Sequence, residues 1–260
     1  MRIENGILYD VNEQDLKLLE NKPKKFWKDV KFLGDGCFSN CTQLKEIEIP
    51  NTVVLAHENP FNGCDNLEKF IVSSSHKYFS ISEDGSLLLT KNGTGLIAGA
   101  PKVCKLVTIP EGVEEIFSFA FANNKKLTRV NFPKSLKSIG WGAFENTSLR
   151  AAVISKNVDY VYYDSFKINN LKEIDVELEN GKTASIEAEV VNELFFECGT
   201  DMKNVREKCA QIKKEQETAE MFKKYSSKNK TVKQKEEPKL VSERQEFFNK
   251  FIIKNKDREQ

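Results

Sequence analysis

The feature that most constrains the fold is a repeat of about 23 residues that recurs along the chain. The segment that begins at Val30 aligns with the one that begins at Val53, and further copies begin at Val113, Leu136 and Val158. One phenylalanine takes the same place in every copy, as Phe38, Phe61, Phe121, Phe144 and Phe166. A repeat this short cannot bury its apolar residues alone, but stacked copies supply one another with neighbours. The repeat therefore predicts a solenoid with one continuous apolar interior.

Each copy contains two patterns that are typical of short strands. A Leu-x-x-Ile-x-Ile segment, such as residues 44–49, alternates apolar and polar positions, and proline follows it at positions 50, 110 and 133. A Val-x-x-Ile segment predicts a second strand, and Gly-x-Gly-Ala-Phe predicts the turn after it. Residues 5–23 and 84–101 each predict a β-hairpin around a polar turn. The predicted order is hairpin, two repeats, hairpin, three repeats.

This pattern resembles the BspA-type (Treponema pallidum-type) leucine-rich repeat family. The family's units read approximately Ile-Pro-x-x-Val-x-x-Ile-Gly-x-x-Ala-Phe-x-x-Cys-x-x-Leu-x-x-Ile-x-Ile. One matching set is Ile109, Pro110, Val113, Ile116, Ala120, Phe121 and Leu127. The resemblance spans about residues 5–176, and His57 and Phe117 stand where the family has glycine. It implies binding of proteins or surfaces with no reaction attached, because a fold alone does not define a chemistry.

We therefore predict a repeat solenoid of the leucine-rich-repeat type, built mainly from short parallel β-strands with inserted β-hairpins and followed by a C-terminal helical segment. The solenoid with its hairpins and cap is assigned to residues 1–199, and an amphipathic helix to residues 200–225. Residues 226–239 carry almost no apolar side chains, which predicts a flexible charged linker. Residues 240–260 predict a terminal amphipathic helix with a capping box at Ser242.

The charge of the chain is unevenly distributed. The net charge is +1, yet residues 201–260 contain 17 Lys and Arg against 11 Asp and Glu, a surplus of six positive charges. No apolar run approaches the roughly 20 residues that a membrane span needs. The N-terminus lacks the pattern of a secretory signal, so we expect a chain that is cytoplasmic as synthesised, with export by a non-classical route left open. The six cysteines are too few for a disulfide-built domain, and we expect free thiols.

The sequence predicts no catalytic, cofactor or metal site. Its two histidines, His57 and His76, belong to no catalytic motif that we recognise. The pair Cys37 and Cys41 lacks the spacing and the second pair of a zinc site. The glycines of residues 93–99 do not have the spacing of a phosphate-binding loop. We therefore expect a protein that is not an enzyme.

Aromatic residues cluster at the second strand and turn of the last three repeats, where they predict a partner-binding surface. The aromatic candidates are Phe117, Phe119, Trp141, Tyr160, Tyr162 and Tyr163. Outward positions of the first strand add Arg129 and Arg150, and the terminal helix adds Phe247, Phe248 and Phe251. The alternative interpretation of the aromatic residues is packing between coils.

The resulting hypothesis is a non-catalytic scaffold that binds a protein partner through the solenoid face, with self-association through the terminal helix as a further option. One alternative is a nucleic-acid or anionic-membrane binder that acts through the basic tail. Nucleic acid is not expected, because Tyr225 is the one aromatic residue among the lysines at positions 223–235 and two acidic residues, Glu236 and Glu237, follow directly. Another alternative is a secreted effector or surface adhesin that contacts host proteins.

Overall fold

The computed structural model of the chain describes residues 1–102, 105–162, 164–167, 171–187, 194–195 and 201–228. Residues Met1–Lys213 form one compact unit, and Lys214–Gln260 are assigned to another, of which only the first residues are described. The strands of the first half are β1 (Arg2–Glu4), β2 (Ile7–Asp10), β3 (Phe32–Leu33), β4 (Glu46–Ile49), β5 (Leu55–Ala56), β6 (Lys69–Val72), β7 (Phe79–Ile81), β8 (Leu87–Thr90) and β9 (Gly95–Gly99). Those of the second half are β10 (Leu106–Thr108), β11 (Glu115–Ile116), β12 (Arg129–Asn131), β13 (Ser138–Ile139), β14 (Ala151–Ile154), β15 (Tyr160–Val161), β16 (Glu173–Glu177) and β17 (Thr183–Glu187). The helices are α1 (Glu13–Asn21), α2 (Pro23–Phe26) and α3 (Met202–Lys228).

The two strand patterns of the repeat form two separate sets of parallel ladders, which confirms the predicted fold class. First strands pair with first strands, β4 with β6, β10 with β12 and β14 with β16. Second strands pair likewise. Strand β3 pairs with β5, and further along the chain β9 pairs with β11, β11 with β13 and β13 with β15. The register equals the repeat length, since Leu106 lies opposite Arg129 and Ser138 lies opposite Tyr160. The hydrogen-bonded coils place equivalent side chains in line.

The phenylalanines of successive coils stack inside the solenoid. The rings of Phe38 and Phe61 have centroids 5.4 Å apart. Phe121 and Phe144 are 5.2 Å apart with planes at 9°, and Phe144 and Phe166 are 5.4 Å apart with planes at 7°. Each of these rings is buried. The repeat therefore predicts the interior correctly, because a period of one coil brings the same side chain back to the same place.

The second hairpin is more than an insertion, because it divides the interior into two cores. Strand β8 and strand β9 pair antiparallel around the predicted turn, and β9 then pairs with β11 as a rung of the solenoid. Leu88 and Ile97 belong to the core of the N-terminal half. Leu87, Leu89 and Leu96 belong to the core of the C-terminal half. A strand that is buried on both faces reads as a continuous apolar run, as it does here.

The first predicted hairpin differs from the structure in its second part. Strand β2 pairs antiparallel with β1, which precedes the predicted residues 5–23, and not with residues 16–19. Leu16 and Leu19, which we expected in a strand, lie instead on helix α1. Asn12 begins this helix, because its side chain accepts hydrogen bonds from the backbone of Gln14 and Asp15 while the Asp15 carboxylate accepts from the Asn12 backbone. This reciprocal cap stabilises a helix start that the hairpin analogy overlooked.

Tight turns between the coils require particular backbone conformations. The position two residues after each stacked phenylalanine is left-handed at Asn40, Gly63, Asn123 and Asn146, with φ between 55° and 72°. Asparagine and glycine are the residues that tolerate this conformation best. Gly140 is required for a different reason, since a Cβ atom there would lie 2.6 Å from the backbone nitrogen of Ser118.

Helix α3 begins by closing the C-terminal end of the solenoid core. Met202, Val205 and Cys209 are buried in that core, and the Met202 amide donates to the carbonyl of Asp159 at 2.8 Å. Arg206 is only 5% exposed. Its guanidinium donates to the backbone carbonyls of Ser155, Val158 and Glu177, which lie at the end of the stack of coils. Solenoids need such a cap because the last coil has no further coil to cover it.

The end of α3 differs slightly from the predicted division of the chain. The helix ends at Lys228, so residues 226–228, which we expected in the linker, are helical. Residues 229–260 lie outside the described part of the chain. The rest of the linker and the terminal helix over residues 240–260 therefore stay predictions.

Candidate interaction surfaces

Three of the predicted aromatic residues are exposed on two neighbouring coils, and we call them the aromatic patch: Trp141, Tyr160 and Tyr162. Their exposed fractions are 48%, 52% and 46%. Tyr160 begins β15, Tyr162 follows this strand directly, and Trp141 lies in the turn after β13 on the preceding coil. The parallel pairing of β13 with β15 brings the two coils together. The patch therefore exists because neighbouring coils carry large rings at outward positions.

The side chain of Trp141 is held in place by a neighbour on the next coil. Its indole Nε1 donates to Oδ2 of Asp164 at 3.0 Å. The Tyr162 backbone amide donates to the carbonyl of Ile139 at 3.1 Å, which fixes that residue to the same pair of coils. Buried or half-buried indole groups need such a partner for the N–H, and here the partner also sets the orientation of the ring.

Phe117 and Phe119 occupy packing positions next to the patch. Both side chains are half-buried. A Cβ atom built on Gly95 would lie 2.9 Å from the Phe117 ring, and one built on Gly142 would lie 2.4 Å from the Phe119 ring. Each ring therefore covers a glycine on an adjacent coil, as the alternative interpretation of these residues holds. Phe119 also has a φ of 57°, an uncommon backbone conformation for a bulky residue.

The other predicted binding residues do not join the aromatic patch. Arg129 begins β12 and Arg150 directly precedes β14, so both lie on the sheet of first strands, and both are exposed. The patch belongs to the sheet of second strands. Tyr163 lies outside the described residues, and so do Phe247, Phe248 and Phe251. Their role stays a prediction.

A second surface, which sequence reasoning missed, is a basic groove of about 650 Å³ beside the first strands. Its lining residues are Lys102, Lys105, Lys125, Lys126, Thr128, Ser148 and Arg150. The backbone connects three of them across successive coils, because Thr128 donates to the Lys105 carbonyl at 2.9 Å and Arg150 donates to the Thr128 carbonyl at 3.2 Å. The signal was present in the sequence as lysines 23 residues apart, at positions 102 and 125.

Few acidic side chains neutralise the positive charge of the groove. Lys102 forms an ion pair with Glu68, and the hydrogen bond and charge of this lysine lower the pKa of the Glu68 carboxyl. Lys125 donates to the side-chain oxygen of Asn146, and Lys126 donates to the carbonyl of Asp65. In the part of the chain that the structure describes, no carboxylate pairs with the other four basic groups of the groove. The groove therefore presents a concentrated positive charge to solvent.

The two histidines have different surroundings. His76 is buried, its Nε2 contacts the Pro50 carbonyl at 3.1 Å, and its Nδ1 accepts from the amides of Tyr78 and Phe79. His57 is exposed and lies 3.9 Å from Asp35. No group of three or more His, Cys, Asp or Glu in the described ranges is placed to hold a metal ion.

The cysteine thiols of the N-terminal core are shielded from reaction. Cys37, Cys41 and Cys64 are buried and free. Burial raises the pKa of the Cys37 thiol, and it raises that of Cys64 to about 12. Cys64 also donates to the carbonyl of Phe38 at 3.0 Å. A thiol that stays protonated is a poor nucleophile and a poor metal ligand, so these residues serve packing.

The two sets of parallel ladders, the stacked phenylalanines and the capped end define a leucine-rich-repeat solenoid. The sequence profile of the BspA type leucine rich repeat region matches residues 21–83 and 102–216, in six copies. The chain therefore belongs to the BspA-type leucine-rich repeat family. No curated protein matches the chain significantly. Within the described residues, no helix has both the length and the apolar character that crossing a membrane requires.

One solved bacterial structure shares the fold, and two others are similar to part of the chain. A leucine-rich repeat protein from Eubacterium ventriosum is 24% identical, with a TM-score of 0.51, over 58% of this chain and 47% of that one. The pneumococcal vaccine antigen PcpA is 20% identical, with a TM-score of 0.46, over 56% and 42% of the two chains. A leucine rich cell surface protein from Faecalibacterium prausnitzii is 22% identical, with a TM-score of 0.45, over 56% and 45%. Each match spans less than half of the longer solved chain, and it concerns the fold alone.

Proposed function

We propose that the chain is a non-catalytic scaffold for protein–protein interaction and that the aromatic patch is its main contact. The observation that carries this proposal is the exposure of Trp141, Tyr160 and Tyr162 on two neighbouring coils. Single exposed apolar residues are ordinary on protein surfaces, whereas grouped ones mark sites of interaction. Tryptophan and tyrosine are also enriched among the few residues that contribute most of the binding energy at interfaces.

The rigidity of the patch supports this role. Asp164 holds the Trp141 indole, so the ring has little freedom left to lose when a partner binds. The strand of Tyr160 pairs with that of Ser138 on one side and forms a bridge to Asp201 on the other. A tyrosine has only two side-chain torsions, and its backbone is fixed here. The patch therefore offers large apolar contacts at a small cost in conformational entropy.

Affinity capture tests the proposal. The immobilised full-length chain retains proteins from an extract of its source cells, and the same extract is passed over a Trp141→Ser/Tyr162→Ser double variant. We expect the retained partner to bind at least about tenfold more weakly to the variant, because truncating two anchor residues removes more than 1.4 kcal/mol. Binding constants measured with the purified partner give the ratio.

A matched control removes two exposed apolar residues outside the aromatic patch and the basic groove. The variant Leu55→Ser/Val153→Ser changes positions of similar exposure, 47% and 55%, and should bind like the wild-type chain. Thermal unfolding of both variants checks that the solenoid remains folded. Equal affinity of the wild-type chain and the Trp141→Ser/Tyr162→Ser variant would contradict the proposal.

A truncation separates the solenoid from the tail. Deletion from residue 201 would remove the buried Met202, Val205 and Arg206, so its effects would combine unfolding with loss of the tail. Truncation after Lys213 keeps the whole compact unit. We expect the chain of residues 1–213 to retain the partner. Loss of the partner in this variant would favour binding through the basic tail instead.

A further inference from the structure

We propose that the basic groove is a second contact site and that it binds an acidic segment of a protein partner in extended conformation. The inference rests on the proposed function, since it takes the partner to be a protein, but it concerns a different surface. Five of the seven residues that line the groove are basic: Lys102, Lys105, Lys125, Lys126 and Arg150. The remaining two, Thr128 and Ser148, carry hydroxyl groups.

The groove gathers like charges that the fold itself does not need. Lys105 and Arg150 take the same place on coils that flank the coil of Thr128. The positive charges gathered around one groove repel one another through the short distances between them. Only Glu68 offsets this repulsion among the described carboxylates, and it pairs with Lys102 at one end of the groove. An anion bound along the groove would relieve the repulsion across all three coils.

The spacing of the cations suits an extended polypeptide. Neighbouring coils lie about 4.8 Å apart, so Lys105 and Arg150 are separated by about 10 Å along the solenoid. In an extended segment, side chains on one face recur about every 6.7 Å. The long, flexible side chains of lysine and arginine can bridge this difference. An acidic segment that crosses three coils could therefore pair with the cations while the hydroxyl of Ser148 donates to its carboxylates.

Two observations favour a polypeptide over a nucleic acid. None of the described residues that line the groove is aromatic, and unpaired bases are bound mainly by stacking on aromatic side chains. Leu106, which follows Lys105 directly, is exposed and offers an apolar contact that a phosphate backbone would not use. A partner that alternates acidic and apolar side chains matches both features.

The basic tail of this chain is unsuited to the groove. Residues 229–260 contain nine Lys and Arg against six Asp and Glu, so their net charge has the same sign as the groove. The expected occupant is therefore an acidic segment from another protein.

Fluorescence anisotropy with a labelled peptide tests the proposal. The probe is a short synthetic peptide of glutamate, glycine and leucine, titrated with the full-length chain at about 150 mM salt, where the Debye length is about 8 Å. We expect saturable binding that a Lys105→Glu/Arg150→Glu variant weakens by at least about tenfold. The control Lys134→Glu/Lys156→Glu makes the same charge change at exposed lysines outside the groove and should alter the affinity by less than about twofold.

Further binding measurements identify the ligand and the site. Equal weakening by both variants would overturn the proposal, because binding would then follow net charge. Tighter binding of a single-stranded oligonucleotide or a sulfated glycan, lost in the same Lys105→Glu/Arg150→Glu variant, would also overturn it in favour of that ligand. The Trp141→Ser/Tyr162→Ser variant should bind the peptide normally. If the peptide fails to bind while the aromatic patch still governs partner capture, only the groove proposal is wrong.

Discussion

Phe144 gives the sharpest test of the stacked interior. Its ring is fully buried between Phe121 and Phe166, at 5.2 and 5.4 Å, with Phe132 at 5.7 Å in an edge orientation. Replacement of a buried phenylalanine by alanine removes its transfer free energy and leaves a cavity, which together cost about 3–5 kcal/mol. We expect Phe144→Ala to fall in the upper part of this range, because the two stacked pairs contribute about 0.5–1.5 kcal/mol each beyond simple burial.

A second substitution at the same position separates stacking from volume. Phe144→Leu keeps most of the apolar volume but removes the two stacked pairs and the edge contact with Phe132, so we expect a loss of about 1–3 kcal/mol. The free energy of unfolding is measured by urea titration. The two tryptophans serve as separate probes, since Trp27 is buried in the N-terminal core and Trp141 lies on the C-terminal half. Single-tryptophan variants Trp27→Phe and Trp141→Phe resolve the two signals.

The control is Phe132→Ala, which removes a half-buried ring from the edge of the same cluster. Its effect should be clearly smaller than that of Phe144→Ala. A change of less than about 1 kcal/mol for Phe144→Ala, or equal changes for the two variants, would refute the stacked column as the centre of the core.

Three further results are expected. Gly140→Ala should lower the free energy of unfolding in urea titrations by about 2–4 kcal/mol, because the new methyl group meets backbone atoms. Gly112→Ala should lower it by only about 1–2 kcal/mol, because Gly112 has a φ of 98° but open space around it. Arg206→Met should cost about 2–4 kcal/mol in thermal unfolding since three carbonyls lose a charged donor, and an undiminished midpoint would contradict its role as a cap. Burial raises the pKa of Cys64 from 9.0 to about 12, so the unfolded chain releases this proton first and stability should fall as the pH rises from 9 toward 12. Cys64→Ala should lose less stability than the wild-type chain in urea titrations across that range, and the same loss in both would contradict the assignment.

The repeat alone was enough to predict the ladders and the interior. Side chains on a strand alternate faces, so the Leu-x-x-Ile-x-Ile pattern determines which residues point inward. A constant offset then determines which residues become neighbours. Leu106 opposite Arg129 and Phe121 against Phe144 are both consequences of a 23-residue period.

Features that break the repeat were harder to predict, although two of them left a signal. The run Leu87–Leu89 is continuous instead of alternating, which is the pattern of a strand buried on both faces. Leu16 and Leu19 are three residues apart, the spacing of one helix face, and Asn12 provides the cap. We predicted both segments as hairpins; the pairing of β8 with β9 confirms the second, whereas α1 stands in place of the second strand of the first.

Whether an aromatic side chain is packed or exposed depends on the residue one repeat later, on the next coil. Phe119 packs because the residue one repeat later is Gly142, which leaves room for the ring. Trp141 is exposed, and one repeat later Asp164 accepts its hydrogen bond. The sequence alone could have separated these cases had each residue been compared with its neighbour one period away. The basic groove would have appeared in the same comparison.

Both proposed surfaces lie on the C-terminal core, and the helical cap is joined directly to one of them. The Met202 amide binds the Asp159 carbonyl, and Asp201 forms a bridge with Tyr160 of the aromatic patch. The described hydrogen bonds of Met202 and Arg206 reach Asp159, Ser155, Val158 and Glu177, none of which lines the basic groove. Loosening the cap should therefore affect the two surfaces unequally. We expect Arg206→Met to weaken partner binding through the patch, because Tyr160 loses its fixed backbone, while peptide binding in the groove changes by less than about twofold.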